Sequence, residues 1–444
     1  MSRNAKKRLK AAQCKRAPED QHSAPATHIT ASNAASRRFL GLGLQVLVFA
    51  IAFGVIFSRR PDAILNAQFY AEDGMNWYPD AYIFGLRSFL IPVAGYLHFL
   101  IRTVALFALL FPFSLAPLVM NACAVVVQIL PINFFLSSRF SNIPFKVRLL
   151  GSALYLALPN SYEIDANITN VQWHLVLLAC MVLLALPPKQ RGWKYFDVIV
   201  LVVTSLSSPI AVVLLISAAV LWWLRRENRD RNACALLLPG SLIEVGVALV
   251  SHTRQSVPNG ATIDRLVSIL GRQVFLSCVL GMDTQMWLAA SGLSIVEWVT
   301  ALVGIAGIVY VFIKAPVELK ALIGFSFSVL ALGLVRPLAG DPRRPQWEWL
   351  CVPGCGNRYY FLPMLSILAS LLWLVSQKSA PVRLRYFAFG LLMLMPIGIY
   401  QDWSYPPYKN LGFSQYATQF EHAAPGTKVS IPINPGMLMH LTKR

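Results

Sequence analysis

Long apolar segments that end in basic residues dominate this sequence. The first runs from Phe39 to Phe57, close to the roughly 20 apolar residues that a helix needs to cross a bilayer. Of the 444 residues, 56% are hydrophobic and only 13% are charged, whereas a soluble domain carries about 25% charged residues. The pattern predicts an all-α integral membrane protein with roughly ten to twelve transmembrane helices.

The formal net charge is +19, but its distribution does not indicate a nucleic-acid-binding surface. The basic residues lie at the ends of apolar segments, and no polar stretch is long enough to form a soluble domain with a basic face. This placement is typical of cytoplasmic loops, which also contact anionic lipids. We therefore expect a multi-pass protein of the cytoplasmic membrane, with membrane lipids but no nucleic acid among its partners.

The same charge pattern orients the chain and divides it. We interpret residues 1–38, which are basic and without periodicity, as a disordered cytoplasmic tail. Residues 39–400 are predicted to form a polytopic transmembrane domain, and residues 401–444 a short extracytoplasmic tail that packs on the outer loops. Outer loops are predicted over residues 58–88, 159–170, 251–292 and 336–357. Prolines interrupt the apolar pattern between residues 88 and 137, where the flanking charges favour an odd number of crossings.

Two pairs of acidic residues fall in these outer loops, beside aromatic and amide side chains. Glu72 and Asp73 lie in the first loop, and Glu163 and Asp165 in the second. A carboxylate held at the end of a rigid helix can act as a general base on an acceptor hydroxyl, or bind a divalent cation. Loop acids that are merely solvated are the alternative, although the clustering favours a functional role for Asp73 or Glu72.

Arginine and histidine side chains on the same predicted face are candidates for substrate binding. Arg358 begins an apolar segment, where a planar guanidinium suits the phosphate of a lipid; an interfacial arginine beside aromatic residues is the alternative. Arg102 lies at membrane depth, where an arginine needs a cavity or a partner. His98 and His174 lie near the outer ends of apolar segments, and a lone histidine there is more often a packing residue than a base.

Motifs of several other enzyme classes do not occur in the sequence. There is no Walker A loop, no dinucleotide-binding fingerprint and no G-x-S-x-G elbow. No set of cysteines and histidines stands at zinc spacing. Cys351 and Cys355 share one loop, where they would form a tight disulfide if that loop is extracytoplasmic, or else remain free thiols.

Four short segments resemble motifs of the GT-C superfamily of polytopic glycosyltransferases. They are Tyr70-Ala71-Glu72-Asp73-Gly74, Gly95-Tyr96-Leu97-His98 with Arg102, Asn167-Ile168-Thr169-Asn170-Val171-Gln172-Trp173, and Arg358-Tyr359-Tyr360-Phe361 with Pro363. The resemblance extends over most of residues 39–444, mainly as an arrangement of spans. Characterised families usually carry a large soluble domain or longer outer loops, whereas the tail of this chain is short.

The resemblance implies an enzyme that transfers a sugar from a polyprenyl-phosphate carrier to an extracytoplasmic acceptor, which would be a lipid, a polysaccharide or a protein. By position, Asp73 would be the base or the ligand of a divalent cation, with Glu72 beside it. Asp165 or Glu163 would be a second acid, and Arg358 would bind the carrier phosphate. The other polar and aromatic residues of these segments are expected to bind substrate: Arg102, His98, Gln172, Trp173, His174 and Tyr359.

Two other functions fit the same composition. A transporter or flippase of lipid-linked saccharides would also place polar groups in a membrane cavity, but carriers often show two related halves with matching broken helices, and the sequence shows no such symmetry. A polymerase or ligase of surface polysaccharide would share the donor and the location. A central cavity lined from both halves would favour transport, whereas acids and Arg358 around a single outer cleft would favour an enzyme.

Overall fold

The computed structural model describes residues 31–251, 253 and 256–444. The chain divides into two compact units, Met1–Leu47 and Val48–Arg444, and every contact described below lies within the second. Most of the predicted basic tail, residues 1–30, lies outside the described residues. Residues 31–38 begin a helix instead of continuing a disordered tail, in a stretch rich in alanine, which has the highest helix propensity.

Helices account for nearly all of the regular structure up to residue 250. They are α1 (Ala31–Arg59), α2 (Asp62–Leu65), α3 (Tyr78–Phe84), α4 (Phe99–Ala108), α5 (Ala116–Leu136), α6 (Phe145–Leu156), α7 (Val171–Leu184), α8 (Arg191–Ser205), α9 (Ala211–Arg225) and α10 (Asn228–Val250). Short helices of other types lie between them: a π-helix at Asp73–Trp77 and 3-10 helices at Gly85–Leu90, Phe113–Leu115 and Ser138–Phe140.

The second half of the chain adds further helices and one small hairpin. The helices are α11 (Ile263–Ser268), a π-helix (Ile269–Leu276), α12 (Ser277–Ser291), α13 (Ser294–Lys314), α14 (Val317–Val335), α15 (Gln346–Cys351), α16 (Asn357–Ser376), α17 (Val382–Gln401) and α18 (Phe413–His422). Strands β1 (Lys428–Ile433) and β2 (Met437–Thr442) pair in antiparallel register, from Lys428 opposite Thr442 to Ile433 opposite Met437.

Seven helical stretches among the described residues are long and apolar enough to cross a membrane. They are Phe113–Leu136, Asn228–Val250, Ile263–Ser291, Ser294–Lys314, Val317–Val335, Asn357–Ser376 and Val382–Gln401. Shorter apolar helices accompany them at Gly43–Arg59, Phe99–Ala108, Val171–Leu184 and Ala211–Arg225. The protein is therefore an all-α polytopic membrane protein, as its composition predicts. Between residues 88 and 137, the prolines separate the ten-residue helix α4 from one long span.

The predicted outer loop over residues 251–292 is helical for most of its length. The stretch Ile263–Ser291 is one of the candidate spans, and 61% of its most apolar window is buried inside the protein. Buried polar side chains weaken its hydropathy signal: Gln285 Nε2, for example, donates to Gln273 Oε1 at 2.6 Å. Since such groups find partners inside the protein, they do not carry the cost of an unpaired polar group in lipid.

This stretch breaks at Gly281, whose φ of 75° is a conformation that glycine adopts without strain. A break exposes backbone donors that a continuous helix would satisfy. Asp402, which follows α17, accepts the N–H of Met282 at 2.9 Å and the N–H of Asn160 at 2.7 Å. One carboxylate thereby joins the broken helix, the loop before α7 and the end of α17.

Ion pairs and hydrogen bonds join the segments at the ends of α5, α7 and α9 to neighbouring helices, all at one end of the protein. The guanidinium of Arg139 lies 2.8 Å from Asp197, and that of Arg225 lies 2.7 Å from Glu318. Arg225 also donates to the carbonyl of Leu183 at 3.2 Å. These loops carry the basic residues of the sequence, so this is the end that the charge pattern predicts to be cytoplasmic.

The C-terminal tail packs on the loop that follows α1. The N–H of Ala71 donates to the carbonyl of Asn434 at 2.6 Å, so the residue that follows β1 is hydrogen-bonded to the backbone of the first loop. Gly74 permits this approach, because a Cβ at that position would lie 3.0 Å from Ile433. The apolar faces of the hairpin and of α18 share one hydrophobic cluster with the first loop and α5.

The end of α1 is tied to the same tail by two buried arginines. Arg59 donates through Nε to the carbonyl of Trp403 at 3.3 Å and through Nη2 to the carbonyl of Asp402 at 3.1 Å. Arg60 donates to the hydroxyl of Tyr408 at 3.1 Å, and its guanidinium lies over that ring. Each guanidinium thus donates to oxygen acceptors and contacts aromatic faces, which offsets part of the cost of burying its charge.

Candidate active site in a cavity beside the first loop

A cavity of about 690 Å³ opens where the first loop meets the ends of several helices. Its walls come from the first loop, the segment before α4, the beginnings of α7 and α16, and the ends of α10 and α14. This volume is ordinary for a small-molecule site. The lining residues with polar side-chain atoms are Glu72, Trp77, Tyr96, His98, Thr169, Asn170, Gln172, Trp173, Ser208, Ser251, Arg336, Arg358 and Tyr359.

Glu72 is the acidic residue that lines this cavity. It is half-buried and follows Ala71, whose φ of 47° is strained for a residue other than glycine. Its carboxylate lies within electrostatic range of Arg358 and of the Tyr96 hydroxyl. The first loop therefore presents one carboxylate to a wall that carries a guanidinium.

Asp73, which the resemblance implies as the base, does not line the cavity. Its side chain is only 1% exposed, and Thr169 Oγ1 donates to its Oδ1 at 2.5 Å. Burial raises the pKa of Asp73 to about 8, assisted by the charge of Glu72 and opposed by the hydrogen bond from Thr169. Successive residues of a helical turn point about 100° apart, so the neighbours Glu72 and Asp73 face different surroundings.

Arg358 lines the cavity and forms an ion pair with Glu163. A second guanidinium nitrogen donates to the carbonyl of Leu338, and the group lies 5.3 Å from the ring centre of Tyr359. Glu163 itself is not part of the lining. The structure therefore places this predicted catalytic acid as the counter-ion that orients Arg358, while Tyr359, a predicted binding residue, does line the cavity.

Asp165 and His174 lie outside the cavity in a buried polar network. Asp165 accepts hydrogen bonds from Gln128 at 2.7 Å, from Ser161 at 3.1 Å and from Tyr405, and His174 Nε2 lies 3.3 Å from it. Burial would raise the pKa of Asp165, but the hydrogen bond and the charge of His174 outweigh it and lower that pKa. The structure thus does not bring these two predicted site residues to the cavity.

Arg102 also lies behind the cavity wall, where it supports a row of rings. It pairs with Asp80 at 3.0 Å, and its guanidinium lies 5.2 Å from the ring centre of Trp77. The row continues from Trp77 to His98 at 4.4 Å and from His98 to Tyr96 at 4.1 Å between ring centres. Burial, and then the charge of Arg102, lower the pKa of His98 to about 3, so this imidazole is neutral at pH 7.

Three buried polar atoms of the lining have no hydrogen-bond partner among the described residues: Nδ1 of His98, Oε1 of Gln172 and Nε1 of Trp173. An unpaired buried polar group costs about 1–3 kcal/mol. Native proteins contain few such groups, and all three belong to residues that line one cavity. Each of these atoms is itself shielded, so the surface that the predicted binding residues His98, Gln172 and Trp173 present to the cavity is formed by their other atoms.

Glu244 is a functional candidate that the sequence analysis missed. It is fully buried in α10, and its Oε2 accepts the N–H of Leu97 at 3.1 Å, which fixes the segment that carries Tyr96 and His98. Its Oε1 has no partner within the described part of the chain. The signal was present in the sequence, because an acid in the middle of an apolar span marks a functional site by default.

Neither a metal cage nor a disulfide is formed by the residues that the structure describes. No three His, Cys, Asp or Glu side chains among them lie close enough to hold a metal ion. The cavity therefore does not fit a divalent cation held by protein ligands alone; a cation at Glu72 would need oxygen ligands from a bound phosphate. Cys351 and Cys355 are both free thiols. This is one of the two alternatives, disulfide or free thiols, that the sequence analysis left open.

Comparison with known proteins does not assign this chain to a family. No protein-family model matches it, and no curated protein matches it. A fold class by itself does not define an activity, because function depends on the geometry and chemistry of a site. The function of this protein is therefore inferred from the cavity and from the residues that line it.

Proposed function

We propose that the protein is a membrane glycosyltransferase with a GT-C-like arrangement of helices. In this proposal, it transfers a sugar from a polyprenyl-phosphate donor to a hydroxyl of an extracytoplasmic lipid, polysaccharide or protein. The observation that carries the proposal is that Glu72 and Arg358 line the same cavity, within electrostatic range of each other. A carboxylate that can accept a proton and a guanidinium that can bind phosphate are the two groups that this reaction requires.

The reaction follows from the roles of these two groups. The oxygen of the acceptor hydroxyl attacks the anomeric carbon of the donor sugar, and the bond from that carbon to the phosphate oxygen breaks. The electron pair leaves with the lipid phosphate, whose added negative charge Arg358 stabilises. The acceptor proton passes to Glu72. Glu163 keeps the guanidinium in position through the ion pair described above.

The apolar part of the cavity suits a lipid-linked donor. Ile210, Leu249, Val329 and Leu332 line it from helices or helix ends within the membrane domain. Aliphatic side chains at the end of spanning helices favour contact with a hydrocarbon chain. The donor would then place its phosphate near Arg358, at the beginning of α16, and its lipid chain among these residues.

The test is a glycan profile of surface polysaccharide and lipids from cells that lack the protein. Cells are complemented with the wild type, with Glu72→Gln, or with Glu348→Gln as a control. Glu348 is a matched carboxylate: it pairs with Arg265 at 2.6 Å, is about half exposed and does not line the cavity. We expect a sugar decoration to disappear without the protein and to return with the wild type and with Glu348→Gln, but not with a normally expressed Glu72→Gln.

Other outcomes would redirect the assignment. If Glu72→Gln restores the whole profile, Glu72 does not accept the proton. If lipid-linked saccharide accumulates on the inner leaflet instead, the protein is a flippase. Loss of polymer length with intact decoration would indicate a polymerase or ligase.

A further inference from the structure

Two consecutive residues, Tyr162 and Glu163, hold the segment that carries Arg358. The carboxylate of Glu163 pairs with the guanidinium of Arg358 and also accepts the backbone N–H of that residue at 3.3 Å. The hydroxyl of Tyr162 donates to the carbonyl of Gly354 at 2.7 Å, shortly before α16 begins. The side chain and the backbone of Arg358 therefore both depend on the same short stretch of the loop before α7.

The approach of Tyr162 requires a glycine at position 354. Gly354 has a φ of 80°, a conformation that glycine adopts without strain. A Cβ at this position would lie 3.1 Å from the Tyr162 hydroxyl oxygen and 3.0 Å from the sulfur of Met282. The segment that leads into α16 therefore admits the Tyr162 hydroxyl because residue 354 has no side chain.

The backbone of Glu163 is held in turn by two buried amides. Asn167 Nδ2 donates to the carbonyl of Glu163 at 2.8 Å, and Asn170 Nδ2 donates to the same oxygen at 2.9 Å. The Oδ1 of Asn167 accepts the backbone N–H of Asn170 at 3.0 Å, which joins this turn to the beginning of α7. Because a carbonyl oxygen has two lone pairs, that of Glu163 is fully used, and its carboxylate projects from a fixed backbone.

The turn between Glu163 and Asn167 needs such support. Ala166 has a φ of 55°, which is strained for alanine, and strained backbone persists only where the surrounding contacts determine it. Asn167 supplies one more of these contacts, since its Nδ2 also donates to the carbonyl of Asp165 at 3.2 Å. Asn167 is 1% exposed and does not line the cavity. Any effect of Asn167 on the cavity must therefore pass through its neighbours.

Fixing the backbone matters because an arginine side chain is long and flexible. A guanidinium binds phosphate through charge-assisted hydrogen bonds of about 2.7–2.9 Å, and such a group has to be held within about 0.5 Å of its working position. The contacts with Glu163 and with the carbonyl of Leu338 determine the direction of the Arg358 guanidinium. The contacts that hold the two backbones determine where that guanidinium lies in the cavity wall.

We propose that Asn167 and Tyr162 are positioning residues for Arg358. Asn167 fixes the carboxylate of Glu163, and Tyr162 fixes the backbone that leads to Arg358. Neither residue lines the cavity, so each acts through another group and not by contact with a ligand. That the positioned guanidinium binds the phosphate of a lipid-linked donor rests on the proposed function above.

The test is binding of geranyl phosphate, a short prenyl phosphate, to the full-length protein in phospholipid nanodiscs. Isothermal titration calorimetry, with empty nanodiscs as the blank, gives both the Kd and the number of sites per protein. A variant that merely unfolds part of the protein lowers the number of sites and leaves the Kd of the remaining molecules unchanged. A variant that displaces Arg358 raises the Kd at an unchanged number of sites.

Three variants carry the test. Asn167→Ala removes the donor to the Glu163 carbonyl, and Tyr162→Phe removes the hydroxyl but keeps the ring. Each should raise the Kd by about fivefold, which is the size of one lost hydrogen bond. Arg358→Gln should raise it by more than about tenfold, since hydrogen bonds from a charged group are stronger. In a Glu163→Gln background, Asn167→Ala should add no further loss, because it acts through that carboxylate.

Two matched controls lose the same kind of hydrogen bond elsewhere. Asn121 Nδ2 donates to the carbonyl of Ala63 at 2.9 Å, and the hydroxyl of Tyr155 donates to the carbonyl of Gln128 at 2.8 Å. Neither Asn121 nor Tyr155 lines the cavity. Asn121→Ala and Tyr155→Phe should therefore bind geranyl phosphate with the Kd of the wild type.

The proposal is wrong if Asn167→Ala or Tyr162→Phe keeps the Kd of the wild type, if the controls raise the Kd equally, or if Asn167→Ala has its full effect in the Glu163→Gln background. Its failure is distinct from that of the proposed function. If Arg358→Gln raises the Kd and the other two variants do not, the phosphate site stands without these positioning residues. If the wild type does not bind geranyl phosphate, or Arg358→Gln binds it as tightly, the phosphate role of Arg358 and the proposal are both wrong.

Discussion

Thr169 lies between Asp73 and the cavity. Its hydroxyl donates to Asp73 Oδ1 at 2.5 Å and accepts the indole N–H of Trp77 at 3.1 Å, while only Thr169 and Trp77 belong to the cavity lining. Two acids that adjoin in the sequence are thereby separated in space: Glu72 faces the cavity, and Asp73 is covered. The difference allows their roles to be tested by parallel substitutions.

Asp73→Asn should retain most of the activity. Asn keeps an oxygen that can accept the hydrogen bond from Thr169, and a buried Asp with a pKa of about 8 is mainly neutral at pH 7. The measurement is the glycan profile used for Glu72→Gln, at equal expression. If Asp73→Asn instead abolishes the decoration while Glu72→Gln does not, the base is Asp73.

Asp73→Asn should also change how stability depends on pH. The pKa of Asp73 rises from 3.8 to about 8 on folding, so the folded state binds this proton more tightly than the unfolded state. The stabilisation is complete below about pH 4 and is lost as the pH rises through about 8. Thermal unfolding in nanodiscs should therefore show a larger fall in Tm between pH 5 and pH 9 for the wild type than for Asp73→Asn. Equal falls would contradict the burial of an ionisable Asp73.

Arg358 and Glu163 should behave as one unit in activity measurements. Arg358→Gln should abolish transfer, because the leaving phosphate loses its cation. Glu163→Gln should lower the rate of transfer by about tenfold, since Arg358 then lacks the carboxylate that holds its guanidinium in position. The double variant should be no worse than Arg358→Gln alone, because coupled residues are not additive. Arg343→Gln is the control, since Arg343 is 88% exposed and pairs with Asp341 at 2.8 Å. Additive losses would mean that Glu163 acts separately.

Asp165→Asn should lower stability without changing the chemistry. Breaking a buried charge network costs about 3 kcal/mol, and this one joins the loop before α7 to the tail through Tyr405. Denaturant unfolding in nanodiscs gives the loss, with Asp341→Asn, a half-buried acid whose partner Arg343 is exposed, as the control that should change little. Decoration per folded molecule should equal that of the wild type. If Asp165→Asn is as stable as the wild type but inactive, Asp165 takes part in the chemistry after all.

Glu244 should control the rigidity of the segment before α4. Glu244→Leu removes the acceptor of the Leu97 N–H, whereas Glu244→Gln keeps an acceptor oxygen. Hydrogen exchange of residues 93–98 should become about tenfold faster in Glu244→Leu, which corresponds to loss of one hydrogen bond. Glu244→Gln, and Glu318→Gln at the other end of the helices, should exchange like the wild type. Unchanged exchange in Glu244→Leu would show that other contacts hold this segment.

The fold class was predictable because hydropathy and charge act over whole segments. The apolar run from Phe39 to Phe57 correctly indicates the membrane-spanning part of α1, although the helix begins at Ala31, within the predicted tail. The run over Ile263–Ser291 was missed, since Arg272, Gln273 and Gln285 find buried partners that a sequence does not show. The same limitation explains why Glu244 was missed, because the N–H group that its carboxylate accepts belongs to Leu97, about 150 residues away in the sequence.

The candidate site was only partly predictable for a geometric reason. The charge pattern predicts one group of candidate residues on the outer side of the membrane, and all of them line the cavity: Glu72, His98, Gln172, Trp173, Arg358 and Tyr359. It does not distinguish Glu72 from Asp73, or Gln172 from His174, because residues that are close in the sequence but point in different directions share the same hydropathy context. Which neighbour faces the cavity is decided by packing against Thr169 and the tail.

The arginines at the end of α1 also constrain how the protein is made. Arg59 lies 344 residues before Trp403, one of its buried acceptors. At about 5–20 residues per second, a ribosome takes on the order of 20–70 s to cover that distance. Until then, Arg59 and Arg60 lack the acceptors that the tail supplies, and the first loop lacks its contact with the hairpin. The backbone next to Glu72 therefore reaches its final position late in biosynthesis, and under the proposed function a nascent chain should transfer no sugar until the tail has docked.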